Sequence, residues 1–182
     1  MGYSISWIAF RHKTKDQVLE AAGLVDTGEP DEDNEAPMAG ATLPGGWYLV
    51  RLDDCFHPFV TPSALAKFSD GCQVLGCQIE EGTMASDAFF YDHGHRVWNV
   101  THQSERGIYD LAIEGAPPEF FGALRERLIG QQDKEGGEAA DVDFIFDIPI
   151  QLAAEICLYR HDNAYFDWGE PKFTRLRARA EQ

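Results

Sequence analysis

The densest run of side chains able to titrate or ligate a metal is Asp92, His93, His95 and His102, with Glu105 just beyond. Imidazole and carboxylate groups at short spacing are what a zinc site or a proton-transfer site requires. His93 and His95 share a face if one strand carries both, but His95 and His102 are seven residues apart. An odd offset sends side chains to opposite faces of a strand, and at about 3.3 Å per residue it separates them by roughly 20 Å. His93 and Gly94 read as the turn itself, so no metal is expected here. His102 stands apart, because Trp98, Val100 and His102 alternate on one face while Val97, Asn99 and Thr101 alternate on the other. A histidine that continues an apolar stripe is a hydrogen-bonded edge of the core or a group placed in a pocket, and the first role is the expected one.

Other candidate constellations fail on geometry. Cys72 and Cys77 lie five apart in a strand-like run and point to opposite faces, unlike the tight knuckles of structural zinc sites. Cys55 with His57 lacks the electropositive surroundings of a cysteine nucleophile. All four cysteines are expected to be buried free thiols. Asp141 and Asp143 form a D-x-D pair near Glu138 and Asp147, but an EF-hand loop would need an oxygen ligand at Ile145 and a glycine at Phe146. These acids read as a solvated approach to a helix, with Asp147 as its cap. The G-x-S-x-G, Walker, G-x-G-x-x-G and H-E-x-x-H patterns do not occur. No cofactor is expected.

The charge is more informative than any motif. Thirty-one acids face fifteen Lys and Arg residues, a net charge of -16. Such a surface is soluble, repels nucleic-acid phosphates and attracts basic partners. Glu29, Asp31, Glu32, Asp33 and Glu35 crowd one stretch with Pro30 and Pro37, which predicts a mobile acidic loop near 26–40. Lys172, Arg175, Arg177 and Arg179 make a basic tail, which is a frayed end or a partner for that loop. The chain has no apolar run of about 18 residues and no secretory-type start, so a cytoplasmic protein with no membrane span is expected.

The elements that must hold these groups follow from periodicity. Residues 3–10 alternate as a strand. Thr14 and Gln17 form a capping box for a helix over 14–22 that Gly23 ends. Residues 47–52 form a strand, and Thr61 before Pro62 starts a helix ending near Gly71. Four β runs follow, over 72–80, 86–91, 95–102 and 108–114, joined by short turns such as Asp92-His93-Gly94. Pro117 and Pro118 open a helix with Leu124 and Leu128 on its apolar face, and Asp147 and Pro149 open another. Short turns between successive strands predict an α+β fold with a mainly antiparallel sheet of about five to six strands and helices on one face, a two-layer sandwich. Residues 1–163 are read as a single domain and 164–182 as an aromatic and basic C-terminal extension, which wraps back over the domain or docks on a second copy as a homodimer contact.

Two functions compete. The first is a non-catalytic protein-interaction domain that binds a basic partner, anchored by an aromatic such as Trp47, Trp98 or Trp168. In size, acidity and lack of enzyme motifs it is similar to bacterial immunity proteins, which neutralise nuclease toxins by binding a basic cleft. That resemblance carries no residues over, and implies only an inhibitor-type role. The second is a small enzyme or small-molecule binder with a pocket at the sheet drawing on His102, Trp98, Tyr109 and Asp110.

Overall fold

Six of the eight positions of the first strand, β1 (Ser4–Arg11), are buried, the pattern of a strand covered on both faces. The computed structural model describes residues 2–163 and 165–180. After β1 come α1 (Lys15–Ala22), β2 (Leu24–Pro30), β3 (Met38–Leu43), β4 (Trp47–Leu52) and α2 (Pro62–Phe68). They are followed by β5 (Gln73–Glu80), β6 (Ala85–Asp92), β7 (His95–Gln103), β8 (Ala112–Gly115), α3 (Phe121–Lys134), α4 (Asp147–Cys157) and β9 (Thr174–Ala178). The nine strands form one sheet in the order β2-β9-β3-β4-β1-β5-β6-β7-β8. Every pairing is antiparallel.

The α+β class and the antiparallel sheet match the sequence reading, but the strand count exceeds it, and the helices lie on both faces. Ile5, Trp7 and Ala9 of β1 face a core shared with Leu124 and Leu128 of α3 and Ile148, Leu152 and Cys157 of α4. Ile8 and Phe10 face the opposite core, built with Val18 and Leu19 of α1 and Leu65 and Phe68 of α2. The expected two layers are therefore three. Each fully buried side chain such as Ile8 or Leu49 contributes about 1.5–3 kcal/mol, so the central strands carry most of the stability.

The local signals behave as their chemistry requires. Thr14 and Gln17 close the capping box at the start of α1, and Gly23 ends it at φ 65°, where only glycine is unstrained. Thr61 caps α2 with Pro62 in its first turn. His93 and Gly94 make the β6–β7 turn with positive φ at both residues, as a two-residue hairpin demands.

Three strands escaped the sequence reading. The stretch expected to be a mobile loop near 26–40 contains the end of β2 and the start of β3, and Asp31 within it is buried. The expected C-terminal extension contributes β9, which sits between β2 and β3. Of β9 only Leu176 is buried, so an arginine-rich strand looks like a tail. Arg175 reaches Asp31 at 3.7 Å, which makes the tail a partner of the acidic stretch, not a frayed end.

Candidate functional site

The residues singled out in the sequence do not meet in one place. His102 is fully buried; its Nδ1 lies 2.6 Å from the Asp110 carbonyl and its Nε2 3.0 Å from the Asp143 carboxylate. Both partners only accept, so both ring nitrogens donate and the ring is held as imidazolium. Burial opposes that charge, yet the hydrogen bonds to Asp143 and the Asp110 carbonyl outweigh it and raise the pKa. Asp110 thus takes part through its backbone, and Asp143 also accepts from the amides of Ile145 and Phe146 at 3.0 Å. Asp143, rather than Asp147, caps the approach to α4. Gln132, buried in α3, fixes the loop before it by bonding the carbonyls of Gly137 and Val142 and the amide of Phe144.

Trp98 is buried and stacks on Phe90 at 5.9 Å, while Trp47 is buried in β4 with the Arg11 guanidinium 5.6 Å above its ring. Tyr109 is half-exposed, bonds Asp133, and lines a shallow groove with Leu111, Arg125 and Ile129. A cavity of about 100 Å³ touches His102 and is lined by Asp87, Cys55 and Glu80. Burial lifts Asp87 to about 6 against the hydrogen bonds from Thr101 and Asn99. Perturbed carboxyls mark active sites, but a space of this size falls well below the roughly 300–1,000 Å³ of ligand pockets. Burial also pushes the Cys55 thiol up to about 11, which leaves it protonated and unreactive at neutral pH. Among the described residues no three His, Cys, Asp or Glu side chains gather to hold a metal ion.

A wide concave feature lies where sequence reasoning found no period. α4 ends at Leu158, which takes a left-handed conformation at φ 61°, and the chain then crosses the α3/α4 side of the molecule to reach β9. Tyr159 is buried and anchors this crossing: it meets Trp7 edge-on at 5.7 Å, stacks on Phe166 at 6.0 Å and meets Phe173 at 5.9 Å. Trp168 packs on Phe166 at 5.1 Å and donates from Nε1 to the Leu158 carbonyl at 2.9 Å. Arg160 ties the crossing to α4, forking onto Asp162 at 2.6 and 3.0 Å and reaching Asp147 at 2.9 Å.

Two recesses of about 700 and about 1010 Å³ share Tyr159, Asn163 and Phe166 in their walls and together form a trough. Glu155 and Asp167 line the smaller recess with Trp168 and the largely exposed Tyr165, while Glu32 and Glu170 line the larger with Phe173 and Lys172. Asp31, also in the wall, is paired with Arg51 at 2.9 Å. Arg160 is likewise neutralised by Asp147 and Asp162. Four carboxylates without a salt-bridge partner among the described residues, Glu32, Glu155, Asp167 and Glu170, therefore face one such cation, Lys172. His161 lines the larger recess with a side chain 2% exposed, and neither ring nitrogen has a hydrogen-bond partner among the described residues.

The trough was missed because its residues are consecutive rather than periodic. The visible signal was the aromatic density of Tyr165, Phe166, Trp168 and Phe173 beside Gly169 and Pro171, a composition that suits neither strand nor helix. Compared with known proteins, the chain matches no family model, no curated protein and no solved structure. No helix among the described residues is long and apolar enough to cross a membrane.

Proposed function

We propose that the protein is a non-catalytic, cytoplasmic interaction domain that binds a basic protein partner, with an inhibitor or immunity-type role. The observation that carries this reading is the trough, in which an aromatic wall lies beside carboxylates that have no salt-bridge partner among the described residues. Cations are attracted to aromatic faces and to carboxylates alike, and a net charge of -16 speeds the approach of a basic partner. Aromatic anchors in a partly dehydrated recess are where interface energy concentrates. Trp47 and Trp98 are buried and cannot serve as anchors, so that role passes to Trp168 and Tyr165.

The test uses the protein's own fluorescence. Trp7, Trp47 and Trp98 are buried, so a response to a surface ligand reports Trp168. A peptide rich in Lys and Arg is expected to change the emission at about 20 mM salt and much less at about 200 mM, where the screening length falls below 10 Å. Substitution of Glu155 and Asp167 by glutamine weakens the response. An emission unchanged by the peptide at either salt concentration would overturn the reading.

A further inference from the structure

We propose that the larger recess, beside His161, is the seat of a single arginine side chain presented by that basic partner. The inference rests on the basic-partner reading and goes beyond it by selecting guanidinium over ammonium.

Three observations carry it. The His161 side chain is sealed to 2% exposure, and among the described residues neither ring nitrogen has a hydrogen-bond partner, Nδ1 lying 4.0 Å from the Asp162 carboxylate, which is a cost to the fold that a ligand donor removes. A neutral imidazole keeps one bare nitrogen as acceptor, and burial keeps this ring neutral. Second, the recess is lined by Phe166 and Phe173 next to Glu32 and Glu170, with Phe166 already stacked on Tyr159 and Phe173 buried beneath Arg51, so an incoming group meets the rims of these rings. A planar, weakly hydrated guanidinium packs against apolar rings at little desolvation cost and forks onto carboxylates, whereas a compact, strongly hydrated ammonium does neither well. Third, the protein already accommodates its own arginine this way in the same wall: the Arg51 guanidinium lies 6.0 Å over the Phe173 ring while it pairs with Asp31.

A recess of about 1010 Å³ exceeds the volume of one side chain, so it suits an arginine with its flanking backbone rather than the free amino acid. Because both imidazole nitrogens are closed to water here, seating the ligand requires the ring to turn about its χ angles. Lys172 on the rim repels an incoming cation, and Glu170 two residues away offsets it.

The experiment compares two labelled nonapeptides, each with two flanking lysines, that differ only in a central Arg or Lys, by fluorescence anisotropy at low salt. The Arg peptide is expected to bind at least about tenfold more tightly, the worth of one hydrogen bond to a charged group. That preference collapses in His161→Phe and survives in His161→Asn, which keeps an acceptor, while Lys-peptide affinity stays the same in both. Equal affinity for the two peptides in the unaltered protein, or a preference untouched by His161→Phe, would overturn the arginine seat and leave the basic-partner reading standing. Failure of both peptides to bind would remove both.

Discussion

The Asp143 carboxylate receives His102 Nε2 at 3.0 Å while also accepting two backbone amides that lead into α4. One buried pair thus fastens β7 to the start of the helix that covers it. Because the folded pKa of His102 is raised, its contribution is complete below about 6.5, the unfolded value, and is lost as pH rises through the folded value. Urea titrations in that alkaline direction should show unaltered protein losing stability. His102→Leu should be less stable by about 3 kcal/mol at pH 6, since it strands a buried carboxylate, and should show little of that slope.

His161 works with the opposite sign. Burial lowers its pKa, with Arg160 acting in the same direction and Asp162, Glu81 and Asp147 opposing; Tyr3 packs edge-on against the ring at 4.8 Å. The unfolded chain then binds a proton that the folded one resists, so stability falls as pH drops below about 6.5. A thermal-melt series from pH 7 to pH 5 should show this decline in the unaltered protein and a shallower one in His161→Phe.

Asp31, in the stretch whose composition suggested disorder, pairs with Arg51 of β4, and their side chains are 0% and 6% exposed. Removing Arg51 takes away the shorter of the two ion pairs of buried Asp31 and leaves only the Arg175 contact at 3.7 Å, which costs up to about 3–5 kcal/mol. Arg51→Met should lower the urea midpoint accordingly, whereas Glu29→Gln, at an exposed acid of the same stretch, should shift it by less than about 0.5 kcal/mol.

Asp87 is held near 6 by burial, above its unfolded value of about 3.9, so ionising it at neutral pH destabilises the fold by about 3 kcal/mol. Asparagine keeps an oxygen for Thr101 and Asn99 without the charge. Asp87→Asn should therefore raise the melting temperature at pH 7, with the gain shrinking toward pH 4.

Among the described residues β2 pairs with no strand but β9. A chain ending at residue 172 should lose the β2–β9 ladder and the Asp31–Arg175 contact. Circular dichroism and size-exclusion chromatography should then report reduced strand content and self-association through the bared edge of β3.

The elements legible in the sequence were those whose local chemistry matched their fate. Thr14, Gln17 and Gly23 bracket α1 because capping is local, and Trp98, Val100 and His102 alternate because β7 has one apolar face against the core. β2, β3 and β9 were hidden because long-range pairing decides them: Thr27 to Pro30 are exposed, β3 is made mainly of small residues, and β9 alternates arginine with only one buried side chain. The surplus of acids was visible from composition, but the trough that concentrates them was not. Its walls come from Asp31, Tyr159 and Phe173, which only the folded chain brings together.

The place of β9 between β2 and β3 also sets a timetable for synthesis. Thr27 meets its partner Arg175 across 148 residues of chain. At a translation rate of about 5–20 residues per second, β2 waits roughly 7 to 30 s for its neighbour to be made. During that interval the central strands can pair while β2 and the outer side of β3 stay open, a window in which the bare edge of one nascent chain is exposed to that of another.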